Sequence, residues 1–169
     1  MILMNQTTIN TIEAKASSVL ESVYGNLNDI KLPINLADIL EKYNITLNTG
    51  KFVDENVSGV FIREDREILV ASDESPNRTA FTVAHELGHY ILHADKATDV
   101  FYREQILNIT EESREIEKEA NWFAASLLMP SQLVKKYYRL TKDRDVLSSL
   151  FGVSPTAVYY RLKNLGLEQ

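Results

Sequence analysis

The residues with the clearest chemical potential are His85-Glu86-Leu87-Gly88-His89. Side chains four positions apart on a helix stand one turn above each other, about 6 Å along the axis and on nearly one face, so His85 and His89 can bind one ion. Glu86 is rotated by about 100° from His85, beside such an ion instead of on it, where a carboxylate can take a proton from water. Zinc with three protein ligands keeps a fourth position for water and lowers that water's pKa to about 7, which makes a polarised carbonyl the natural target. Buried helices also acquire this spacing by chance. Against that, an interior helical glycine such as Gly88 costs about 1 kcal/mol relative to alanine, and close approach of a second helix would explain it. His93 lies two turns beyond Glu86, too far to join the same ion, and reads as structural or supporting.

A third ligand is sought on the segment opened by Ser113, which reads as a helix to about Met129, with Pro130 ending it. Of Glu112, Glu115, Glu117 and Glu119, helical geometry places Glu117 and Asn121 on one stripe with Ala124 and Leu128, bordering the apolar face of Ile116, Ala120, Phe123 and Leu127. The other three carboxylates read as a solvated face. Small residues at Ala120, Ala124 and Ala125 would let this helix approach Gly88. Asn121 would then hold a ligating histidine by its second ring nitrogen.

The stretches Ala84-His85-Glu86-Leu87-Gly88-His89-Tyr90 and Glu117 through Pro130 resemble the two signatures of the ImmA/IrrE family of metallopeptidases. The resemblance runs roughly from Pro33 to the end. It implies a gluzincin-type core, a sheet with two zinc-bearing helices, and a glutamate ligand that matches Glu117. Gluzincins more often carry Asp where this chain has Asn121, which implies a bond to a neutral amide and a slightly weaker hold.

The elements that must position these residues read as α+β: a small antiparallel sheet packed with helices, the His85 helix, the Glu117 helix and a C-terminal helix-turn-helix-like tail. Asn10 and Glu13 have capping-box spacing ahead of an amphipathic helix over 11–24, stopped by Gly25, and a second short helix runs from Pro33 to Tyr43. Ile45 to Phe52, Val57 to Ile62 and Ile68 to Ala71 read as strands, the last two flanking a polar tip at 63–67. Ser75-Pro76 starts the His85 helix, which continues to His93. Residues 94–112 are polar apart from one candidate strand, Val100 to Arg103. The tail reads as helices over Gln132–Leu140 and Asp143–Leu150, a turn at Phe151-Gly152-Val153, and a helix from Ser154-Pro155 to Asn164. The expected division is a catalytic domain over 1–130 and an appendage over 131–169.

Composition bounds the rest. No cysteine is present, which excludes thiolate ligands, disulfides and a cysteine nucleophile, so a metal must sit on His and carboxylate. No apolar run reaches signal-peptide or membrane-span length, and a cytoplasmic location is expected. The net charge is −6, but residues 130–169 hold seven Lys or Arg against Asp143, Asp145 and Glu168. The acidic remainder would repel a phosphate backbone. The last helix offers Thr156, Tyr159, Tyr160 and Lys163 outward, a poor set for bases or phosphates, so direct DNA binding is disfavoured.

The expected function is zinc-dependent hydrolysis of a peptide bond, with Glu86 as the catalytic base and His85, His89 and Glu117 as metal ligands. The resemblance implies a protein substrate, a helix-turn-helix repressor of a mobile element or stress response, whose cleavage relieves repression. Residues 94–112 would form a lid or edge strand for it. Tyr90, His93, Tyr102 and Arg103 are candidates to stabilise the oxyanion. The rival is a non-catalytic, metal-containing regulator that uses the tail for DNA. A structural metal site would be closed by a fourth ligand and would have no use for Glu86.

Overall fold

A computed structural model describes residues 4–54, 56–94 and 111–168. Its first helix, α1 (Gln6–Tyr24), starts five residues before the expected position because Asn5, not Asn10, is the cap, its side chain accepting from Thr8 N at 2.8 Å. Asn10 instead accepts from the Gln6 amide, and Glu13 turns inward. Gly25 ends the helix at φ 76°, a conformation that glycine adopts without strain. A short 3-10 turn, Leu27–Asp29, leads to α2 (Leu36–Lys42). The latter is shorter than the expected 33–43 because Asn35 caps it, accepting from Ala37 N.

Strands β1 (Thr46–Gly50), β2 (Gly59–Ile62) and β3 (Glu67–Ala71) form one sheet in the order β1-β3-β2. The architecture is α+β as expected, but the sheet is mixed and not wholly antiparallel. β2 and β3 make the antiparallel hairpin, whereas β1 pairs parallel with β3, with Leu47 opposite Ile68. The reason is burial: Ile68 and Val70 are fully buried, so β3 takes the centre. β2, the next strand in sequence after β1, lies at the opposite edge.

Helix α3 (Pro76–Leu92) follows Ser75, with proline in its first turn. It packs along α4 (Glu111–Leu128) with Val83, Ala84, Leu87 and Gly88 buried on one side and Ala120, Phe123, Ala124 and Leu127 on the other. A Cβ on Gly88 would lie 3.1 Å from Phe123 Cδ1 and 3.2 Å from the Ala120 carbonyl oxygen. The glycine thus lets the two backbones approach, which outweighs its poor helix propensity.

The tail comprises α5 (Ser131–Tyr138), α6 (Arg144–Phe151) and α7 (Pro155–Asn164). Asp143 caps α6, Gly152 turns the chain at φ 65° and Ser154 caps α7 by accepting from Ala157 N. These are the helices and the glycine turn expected from the sequence. Leu133, Val134, Leu147, Phe151, Val153, Val158 and Leu162 belong to the same apolar core as α1, the sheet, α3 and α4. Among the described residues no helix is long and apolar enough to cross a membrane.

Candidate metal centre

Successive turns of α3 present His85 and His89, and their Nε2 atoms lie 3.0 Å apart. Across from them α4 supplies Glu117, whose Oε2 is 3.2 Å from His85 Nε2 and whose Oε1 is 3.1 Å from His89 Nε2. The close helix contact at Gly88 brings these donors together. Asn121, one turn past Glu117, places Oδ1 3.0 Å from His85 Nδ1. With Nδ1–H donating to Asn121, the lone pair of His85 sits on Nε2 and points at the other donors.

This donor set fits a small divalent cation. One atom from each of His85, His89 and Glu117 lies within 4.8 Å of the others. The 3.0 Å between the two Nε2 atoms is close to the roughly 3.3 Å edge of a tetrahedron with 2.0–2.1 Å zinc bonds, and each Glu117 oxygen stands at a similar distance from one histidine. Two imidazoles and a carboxylate, without sulfur, suit a borderline cation such as zinc. His85 and His89 are largely buried while Glu117 is one-third exposed, so one side opens to solvent.

Electrostatics follow the same geometry. Burial pushes the Glu117 carboxyl up, but hydrogen bonds and charge from His85 and His89 outweigh it and hold the group well below the carboxylate range. Burial disfavours protonated His85, yet Glu117, Glu86 and Asn121 together hold its pKa above the ordinary value. Glu86 behaves oppositely. Burial lifts its carboxyl above the usual range, opposed by His85 and His89 and by a hydrogen bond from the Phe61 backbone, and reinforced by Glu117.

The remaining carboxylates stand apart from the donor set, but Glu119 does not lie on a solvated face as expected: it is half-buried because His93 turns toward it. Glu115 pairs with Lys118 at 2.6 Å and Glu119 with His93 Nε2 at 2.9 Å. His93 is buried and braces α3 against α4, outside the three-donor set. Tyr90 packs on Phe61 and Tyr43 and accepts from Arg66 at 3.0 Å. It does not line the cleft around the metal ligands. Tyr102, Arg103, the strand at 100–103 and most of the expected lid lie outside the described residues.

Sequence reasoning missed a second polar cluster. Arg161, 1% exposed, donates from Nη1 and Nη2 to the Glu13 carboxylate at 2.5 and 3.0 Å and from Nε to the Met129 carbonyl at 3.0 Å. Trp122 Nε1 and Ser126 Oγ donate to the same Glu13 at 3.1 and 2.9 Å. Burial raises the Glu13 carboxyl, but Arg161, Ser126 and Trp122 outweigh it and leave it below the ordinary value. The signal was present: Glu13 shares a face with Ala16 and Leu20, and Arg161 stands between Val158 and Leu162 on an apolar stripe.

An α+β frame thus carries a His-His-Glu group able to hold a metal ion, in a cleft that β2 also lines. Residues 40–163 match the peptidase family described as the IrrE N-terminal-like domain, and the chain belongs to that family. It is 31% identical over 91 residues to uncharacterized immunity region protein 2 of Bacillus phage phi105, covering 54% of this chain and 55% of the relative. Metallopeptidase ImmA of Bacillus subtilis is 25% identical over 103 residues, 59% of this chain and 58% of that protein. The fold is similar to that of a Mycobacterium tuberculosis transcriptional regulator at a TM-score of 0.67 and 20% identity, over 91% of this chain and 46% of that one. The chain spans about half the length of these relatives.

Proposed function

We propose that this chain is a zinc-dependent metalloendopeptidase of the gluzincin type, cytoplasmic, that cuts a regulatory protein, a helix-turn-helix repressor, and so relieves repression. The observation that carries the reading is the convergence of His85, His89 and Glu117 with donor atoms 3.0–3.2 Å apart, beside a half-buried Glu86 that is not among them. The immunity region protein and the metallopeptidase among the relatives support the regulatory substrate.

In this reading His85, His89 and Glu117 hold the ion, and Asn121 fixes the His85 ring. Bound zinc would supply Lewis acidity toward a carbonyl and acidify water. Glu86, lifted in pKa by burial, accepts the proton of the attacking water and returns it to the leaving amine. Its bond from the Phe61 backbone fixes it against β2, an edge strand whose Gly59, Val60 and Phe61 line the cleft. An extended substrate segment pairs along that edge. Residues 1–130 form the catalytic unit and 131–169 its appendage.

The rival, a metal-containing regulator that uses the tail for DNA, is weakened because Thr156 and Tyr160 of α7 line the same cleft as His85, His89 and Glu117. The deciding experiment incubates the zinc form with a genetically linked repressor and with casein, and maps the fragments by mass. A single cut in an exposed linker of the repressor with casein largely intact is expected. Rapid casein degradation beside an intact repressor overturns the proposal.

A further inference from the structure

The cleft at the metal centre is larger than peptide chemistry at one bond requires. Its volume is about 1520 Å³, above the roughly 300–1,000 Å³ of small-molecule sites, so it fits a length of chain. From the metal ligands it runs past Phe81, Trp122 and Ala125 to Ala157 and Tyr160 on α7. Tyr160 is 58% exposed, and among the exposed large apolar side chains of the described residues it is the one that lines this cleft.

We propose that α7 forms one wall of the peptide-binding cleft, where Ala157 and Tyr160 select an apolar stretch of the substrate away from the cleaved bond. This rests on the reading of the metal centre as a peptide-cleaving site. The chemistry of the wall defines its occupant. Among the described residues, the cations that line the cleft are each committed to a carboxylate, Arg78 to Glu74, Lys118 to Glu115 and Arg161 to Glu13. A phosphate backbone therefore meets cations already paired, whereas aliphatic or aromatic side chains meet Phe81, Trp122, Ala125 and Tyr160. The wall is also held in register with the metal centre. Arg161 of α7 and Trp122 of α4, the neighbour of Asn121, both donate to Glu13.

Trp122 is the sole tryptophan and lies in the cleft, so its emission reports occupancy. The test uses zinc-loaded Glu86→Gln, which separates binding from hydrolysis. Two synthetic peptide pools are compared, both randomised at the centre, one flanked by Leu, Ile and Val and the other by Ser and Gly. The apolar pool is expected to shift Trp122 emission and to bind about tenfold more tightly, the effect of burying roughly one aliphatic side chain. Tyr160→Ala and Ala157→Asp should each abolish that preference while zinc content and helical circular dichroism stay unchanged. Equal binding of the two pools, no emission change, or a preference that survives both substitutions overturns the proposal. Failure of the parent protein to hydrolyse any peptide would instead contradict the catalytic reading, since binding is measured on a variant that does not cut.

Discussion

Arg161 and Glu13 form a two-point ion pair across 148 positions of sequence, at 2.5 and 3.0 Å, and so tie the last helix to the first. Arg161 is buried and Glu13 largely so, and a buried pair is fragile to the loss of one member, because the survivor keeps its desolvation cost without its partner. Arg161→Leu is therefore expected to destabilise the fold by roughly 3 kcal/mol, and the double change with Glu13→Leu to recover much of that. Urea unfolding midpoints of the two variants check this; a double variant no better than the single one would show that the pair is not the cause.

The same pair gives a pH dependence. Glu13 is held below its ordinary pKa, so in that range the unfolded chain binds more protons than the folded one. Its contribution is present above the unfolded carboxylate pKa and is lost as pH falls through the folded value. The acid limb of the unfolding curve should flatten in Glu13→Leu/Arg161→Leu.

At Gly88 two effects oppose. Alanine gains about 1 kcal/mol of helix propensity, but its Cβ meets Phe123 and Ala120 at 3.1–3.3 Å, and overpacking costs typically about 1–3 kcal/mol. Because the obstruction includes the Ala120 backbone, the cost should win: Gly88→Ala is expected to lower the melting temperature and weaken zinc binding as α3 and α4 separate. Zinc titration beside thermal unfolding measures both.

Much of this was legible because it is local. The helical spacing of His85 and His89 and the stripe carrying Glu117 and Asn121 depend only on the geometry of one helix each, and the structure brings the four side chains together. Gly88 betrayed the helix contact because glycine is costly there. The parallel pairing of β1 with β3 was not legible, since strand order is set by which strand is most buried and not by the turns between strands. Asn10 and Asn5 are both competent caps; the structure uses Asn5, and Glu13 pairs with Arg161 instead of closing a capping box. The apolar stripes mark Glu13 and Arg161 each as inward-facing, but no local pattern pairs residues 148 positions apart.

Ligand roles separate by variant. Glu117→Ala should reduce zinc affinity much more than Glu119→Ala, because Glu119 faces His93 instead. Asn121→Ala should cost about 10–100-fold by releasing the His85 ring. Protons compete for His85, whose pKa lies above the ordinary histidine value, so zinc affinity should fall as pH drops through that value. Competition with a chromophoric chelator reports all three; a larger loss in Glu119→Ala would move the ligand to that residue.

The central claim, that Glu86 moves the proton at a metal centre built from His85, His89 and Glu117, is tested most directly by hydrolysis at matched zinc content. Parent protein and Glu86→Gln, each carrying about one zinc per chain, are compared on the linked repressor. The account predicts equal zinc, equal melting behaviour and a loss of turnover in Glu86→Gln of about 10²–10⁴-fold. Undiminished turnover by Glu86→Gln at equal zinc would contradict it.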